Sequence, residues 1–258
     1  MISIIDIGLK ELIISFITLL VPFVFFIYFK VKLIKSTLIG AVRMIIQLAL
    51  VALYLEFIFE ANNQWINSIW VLIMVLVGVF TTLNRINTRN KRFFIIPLLL
   101  SSFITVIVID AFFLGFIIKL DYVFESRYFI PISGMIIGNS INHNIIGVST
   151  YIKEYREKRE LYYFLLINTN DKRLAIRPFI SSAINQGLSP LIATMSVIGL
   201  ISLPGMMTGQ ILGGSSPIIA IKYQIIIMFA IFLSCTLGLF LSIIFINKKL
   251  LVKDKINL

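Results

Sequence analysis

The sequence predicts an all-α protein, a polytopic bundle of about seven membrane-spanning helices. Three observations predict it. Of the 258 residues, 59% are hydrophobic and 14% charged, against about 45–50% and about 25% in a soluble domain. The mean hydropathy is +1.00. The apolar residues also fall in long runs, matching the roughly 20 residues a helix needs to cross a bilayer. A globular core of this length would leave much of that surface wet, so lipid is the solvent that suits it. The length fits one membrane domain, residues 1–258.

Seven spans follow in order: 7–29, 37–59, 65–83, 93–118, 129–149, 189–212 and 218–246. The first is interrupted by Pro22, a break that neighbouring helices or water compensate in a membrane. It follows Asp6 and contains Lys10 and Glu11, with no basic leader and no small-residue cleavage site, and reads as a retained helix. The second holds Arg43, placed to snorkel toward the headgroups, and Gln47 one turn deeper, expected to face protein. Basic residues set the orientation. Four segments on one side, 30–35, 84–92, 150–188 and the tail after 246, hold most of the 23 Lys and Arg residues, Arg89, Lys253 and Lys255 among them. The N-terminus is therefore expected outside and the C-terminus in the cytoplasm.

The net charge of +11 does not imply nucleic-acid binding, because the cations sit in short loops between apolar runs. A single Cys235 excludes a disulfide framework and a cysteine-rich metal site, and His143 as the sole histidine excludes a multi-histidine site. The only long extramembrane segment is 150–188. Glu154 precedes Lys158 at i,i+4 spacing, which favours a helix. Lys153, Arg156, Glu157, Arg159, Glu160, Lys172 and Arg173 crowd the same segment, interleaved with aromatic residues. It reads either as an extension of the fifth span at headgroup level or as a docking surface. The run after Asn168 reads as a turn and cap, followed by a short helix over 172–187.

Polar residues inside spans are costly and point to function. In the fifth span, Gly134, Gly138 and Asn142 form one stripe and Asn139 and His143 an adjacent one. Interhelical hydrogen bonding, a substrate path and headgroup contact are all open to them. Asp110, deep in the fourth span, must be protonated, paired or facing a wet cavity. The sixth span is broken up by Pro204, Gly205, Gly209 and Gly213. The glycines permit close approach of another helix. Pro204 suggests a gate or kink, freeing the carbonyl of Leu200. Met206, Met207 and Gln210 beside it read as packing or as a soft contact for substrate. No phosphate-binding loop, zinc-protease helix or nucleophile elbow appears, so an enzyme is not expected.

SLPGMMTGQILGG (202–214), RMIIQLALVALYLEFIF (43–59) and PISGMIIGNSINH (131–143) resemble the FetB-type permeases, membrane subunits of a small ABC transporter family linked in bacteria to iron efflux and in plants to aluminium tolerance and nucleotide-sugar movement. The resemblance implies a multi-pass cell-membrane permease, working as a homodimer with a separate cytoplasmic ATPase. ATP and magnesium would bind that partner, and this chain would bind no cofactor. The resemblance places the coupling role on 153–177. Substrate would meet Asn139, Asn142, His143, Met206, Met207 and Gln210. NTNDKR (168–173) departs from the glycine-containing turn of relatives. A gradient-driven transporter using Asp110 and a non-transporting membrane scaffold remain the rival readings.

Overall fold

The computed structural model describes residues 7–86, 88 and 90–252, so Arg89, Lys253 and Lys255 of the basic set and Asp6 lie outside the described residues. Among those described, helices account for nearly all regular structure, and one isolated bridge joins Ile198 to Ser202. The chain forms two compact units. The first comprises the described residues up to Ala61 with Leu212–Gly214. The second comprises Asn62–Ile211 and the described residues from Ser215 onward.

The first unit contains α1 (Leu9–Ile17), α2 (Leu20–Tyr28) and α3 (Ile34–Ala61). Pro22 occupies the first turn of α2, where its missing N–H removes no helical bond. The interruption falls just before it, at Thr18 and Leu19. α1 and α2 bury no residue, and α3 buries only Ile58. Gln47, expected against protein, is exposed within this unit along with Arg43.

The second unit holds α4 (Gln64–Arg85), α5 (Lys91–Asp110), α6 (Ser126–Glu157), α7 (Arg159–Thr169), α8 (Lys172–Val197), α10 (Pro217–Val252) and α9 (Gly205–Leu212), the last residue of α9 excepted. α5 continues as a π-helical turn, Ala111–Ile117. α6 is the hub, packing against α4, α8 and α10, while α10 also packs along α5. α4 starts where the Asn63 side chain accepts from the Trp65 N–H at 2.9 Å, an N-cap. It buries Asn67, Val71, Val75, Val79 and Thr82 along one stripe. α8 starts the same way, at Asp171, whose carboxylate accepts from the Arg173 N–H at 2.7 Å. Asn170 before it is left-handed, with φ +50°. The turn and cap expected after Asn168 are there.

Among the described residues, five segments are long and apolar enough to cross a membrane: Leu9–Tyr28, Ile34–Ala61, Gln64–Arg85, Lys91–Ile117 and Pro217–Lys249. They coincide with five of the seven expected spans. The span expected at 129–149 lies within α6, which has 32 residues but too many carboxamides and hydroxyls to match the others in hydropathy. The span expected at 189–212 is corrected. The helix begins at Lys172, absorbing the short helix expected over 172–187, and ends at Val197. Residues 198–204 then form an irregular turn, in which Gly199 adopts φ +89° and its N–H donates to the Ser202 carbonyl at 3.0 Å. Pro204 is accordingly no kink inside a helix. It leads into α9, its carbonyl accepting from the Thr208 N–H at 3.0 Å. Leu200 lies outside any helix, so no helical carbonyl is freed there.

A buried polar seam runs between α5, α6 and α10. Ser101 and Ser242 hydroxyls meet at 2.7 Å. The Ser133 hydroxyl sits 2.6 Å from Asp110 Oδ2 and 2.7 Å from the Phe129 carbonyl. Tyr151 donates to Asn247, and Lys249 Nζ donates to the Phe93 carbonyl at 2.7 Å. Beside the seam, Leu239 is fully buried and fills the space left by two glycines. An added Cβ would lie 2.4 Å from Leu239 Cδ1 at Gly147 and 2.7 Å from Leu239 Cδ2 at Gly187.

Candidate functional site

A cavity of about 510 Å³ opens between α6, α8 and α10, bordered by the irregular turn and the start of α9. α6 contributes Met135, Asn139, Asn142, His143 and Ile146, whose three- and four-residue spacing places them on one helical face. α10 contributes Gln224, Ile227, Met228 and Ile231 at the same spacing. Thr194 closes the α8 side, and Ser202, Pro204 and Met206 close the end.

His143 is buried, and its Nδ1 lies 2.7 Å from the carbonyl oxygen of Gly187. A carbonyl only accepts, so Nδ1 carries the hydrogen of this bond. This bond ties α6 to α8 at the point of closest approach, where a Cβ on Gly187 would stand 3.3 Å from both the Gly147 Cα and the His143 carbonyl. Asn139 Nδ2 donates to the Met135 carbonyl at 2.9 Å, leaving the Asn139 oxygen to accept. Gln224 is 92% buried, and its side-chain oxygen has no hydrogen-bond partner. Among the described residues, no Asp, Glu, Lys, Arg or Cys lines the cavity. Its walls offer carboxamides, hydroxyls, an imidazole and thioethers, a set able to hold a polar solute by hydrogen bonding and soft contact.

Of the residues nominated from sequence, Asn139, Asn142, His143, Met206 and Pro204 converge on this cavity. Three do not. Met207 is buried elsewhere, because consecutive residues on a helix point about 100° apart. Gln210 is half-buried away from the cavity with its oxygen unpartnered. Asp110 is 3% exposed and held by Ser133 in the seam. Sequence reasoning missed Met135, Thr194, Gln224 and Met228. Met135 lies one turn before Asn139 on the nominated stripe, and Gln224 is a lone carboxamide one turn before Met228, so both carried a periodic signal.

Among the described residues of the chain itself, Gly138, Gly205 and Gly209 meet nothing within 4 Å of an added Cβ, and Gly134 meets Met74 Sδ at 3.8 Å. Gly213 lies exposed in the turn after α9. Within the chain, close approach is made instead by Gly78, Gly147 and Gly187.

At the far end of α6, Lys153, Arg156, Glu157, Arg159, Glu160, Lys172 and Arg173 are all exposed, on the adjoining ends of α6, α7 and α8. Glu154 is the exception. It accepts from the Ser182 hydroxyl at 2.7 Å and pairs with Lys158 at 3.3 Å, which spends it on internal contacts. Tyr155 packs against Tyr162 of α7 and Phe179 of α8, at centroid distances of 5.3 and 6.0 Å, and fixes the three ends together. Arg159 donates to the Tyr163 hydroxyl at 3.2 Å, which holds its guanidinium above its ordinary pKa.

Long apolar helices around an uncharged polar cavity define the class, a multi-pass helical membrane protein with a hydrogen-bonding interior. Residues 9–251 match the model of the family described as "Uncharacterised protein family (UPF0014)", and the chain belongs to that family. It is 35% identical over 197 residues to the UPF0014 membrane protein slr1647 of Synechocystis sp., covering 76% of this chain and 75% of that protein. It is 31% identical over 215 residues to the probable iron export permease protein FetB of Escherichia coli, covering 81% and 79%. Protein ALUMINUM SENSITIVE 3 of Arabidopsis thaliana is 31% identical over 189 residues, covering 72% and 66%. No solved structure matches.

Proposed function

We propose that this chain is the membrane-spanning permease subunit of an ATP-driven exporter in the cell membrane, with iron or another metal as cargo. The observation that carries the reading is the cavity between α6, α8 and α10, together with the likeness to a probable iron export permease. Two copies would pair through faces that leave Gly138, Gly205 and Gly209 open to a neighbouring helix. A separate cytoplasmic ATPase would bind ATP and magnesium and dock on the exposed charges of 153–173. Its closure would move α6, α7 and α8 as one, because Tyr155 binds them together. The cavity would then open alternately to either side. With the basic loops facing the cytoplasm, the N-terminus is outside and the C-terminus inside.

The test is reconstitution in vesicles with a candidate ABC ATPase subunit supplied alongside. ATP-dependent movement of iron that falls on His143→Ala and Asn142→Ala supports the reading. A chain that neither retains nor stimulates any ATPase refutes it. Movement driven by a proton gradient alone and lost in Asp110→Asn would favour a secondary transporter instead. Vesicles that move nothing under either condition would favour a scaffold.

A further inference from the structure

A second, smaller chamber lies on the opposite side of α6, between α4, α5, α6 and α10, with a volume of about 20 Å³. That is room for one water molecule and little more. Its walls include the polar side chains of Thr82, Ser102, Thr105, Ser140 and Asn144 among valines and isoleucines. Thr105 and Asn144 are 2% and 4% exposed, and neither Thr105 Oγ1 nor Asn144 Oδ1 has a partner within the protein. Two unpartnered buried polar atoms on side chains that line one water-sized chamber are uncommon, because nearly all buried polar atoms are satisfied by protein or by ordered water. Gly238 of α10 forms the floor. A Cβ built there would stand 3.5 Å from Thr105 Oγ1 and 3.7 Å from Asn144 Nδ2, so both side chains converge on the space that this glycine leaves open.

We infer that this chamber is a binding site for a single structural water, bridging Thr105 of α5 and Asn144 of α6 beneath Gly238 of α10. The water donates one hydrogen to Asn144 Oδ1 and one to Thr105 Oγ1, and its oxygen accepts from a wall hydroxyl. A bare cation suits the site poorly. Among the described residues no carboxylate lines it, and Asp110 of α5 is not part of its wall. An unpaired ion there would be costly to desolvate. The bridge completes the seam that already joins α5 to α10 through Ser101 and Ser242, and α5 to α6 through Asp110 and Ser133. This assignment is independent of cargo and of any ATPase.

Two measurements on the full chain in nanodiscs test it. Radiolytic hydroxyl labelling marks side chains beside ordered waters even where bulk solvent does not reach. It should modify the buried wall residues Val75, Val106 and Ile137, and the signal should fall several-fold in Gly238→Ala and in Thr105→Val. No label on the wall, or equal label in the variants, overturns the assignment. Thermal unfolding is the second measurement. Gly→Ala inside a helix ordinarily stabilises, yet Gly238→Ala should lower the apparent melting temperature by a few degrees through loss of the bridge. Thr105→Val should cost a similar shift, and the double variant should be no worse than the worse single one. A rise in Gly238→Ala, or additive losses, would sink the shared water. Exchange of sodium for potassium or choline should leave the wild-type curve unmoved; a sodium-specific rise would make the chamber a cation site.

Discussion

The two sides of α6 are built on opposite rules. On the seam side, Ser133, Ile136, Asn144, Gly147 and Val148 are buried, and small residues there admit a neighbouring chain to within contact distance. On the cavity side, Met135, Asn139, Asn142 and Ile146 remain half-buried or exposed, and polar side chains hold space open. Gly138 and Gly147 show the difference most directly. The first has nothing within 4 Å of an added Cβ, and the second has Leu239 at 2.4 Å. A glycine in a helix of this kind therefore says nothing of packing until its partner is known. The seam side carries packing, and the cavity side carries the polar lining that the proposed function assigns to substrate.

Substitutions can break that division. The largest effect falls on Leu239, fully buried against Gly147 and Gly187. Leu239→Ala should cost about 2–5 kcal/mol, read as a lower melting temperature in detergent. Gly187→Ala comes next. Its new methyl must displace Leu239 and press on the α6 main chain, costing about 1–3 kcal/mol as overpacking. Combined with Leu239→Ala it should cost much less than alone. Undiminished loss in the pair would mean that Leu239 is not what the glycine accommodates.

Glu154→Ala removes the acceptor for Ser182 and should cost about 1 kcal/mol. Lys158→Ala, which breaks only a half-exposed ion pair, should cost a few tenths of that. At the small end, Asn142→Ala should leave stability within about 0.5 kcal/mol, as expected of an exposed position. A loss of transport in vesicles without loss of stability would sharpen the contrast between the two sides. A marked drop in melting temperature instead would place Asn142 in the packed interior.

The apolar spans were legible because composition alone sets them. Leu9–Tyr28 and Pro217–Lys249 stand within a few residues of their expected limits. The fifth span was legible for the opposite reason, since its carboxamides and its histidine could only be tolerated against protein or water. What could not be read was partnership. Asp110 looked like a candidate for the substrate path, yet Ser133, twenty-three residues later, claims it. Met206 and Met207 are neighbours in sequence and part company in space. The end of α8 also eluded the sequence. Pro178 and Pro190 both sit inside that helix, while the break comes at Ile198 and Gly199, where a left-handed glycine and not a proline turns the chain.

α10 has 36 residues, so at 1.5 Å per residue it is about 54 Å long. The hydrocarbon layer is only about 30 Å thick. Such a rod has to lean steeply or protrude, and it has no proline after Pro217 at which to bend. Near its far end Lys249 donates to the Phe93 carbonyl at the start of α5, so whatever length overhangs the hydrocarbon on that side is fastened to a neighbouring helix.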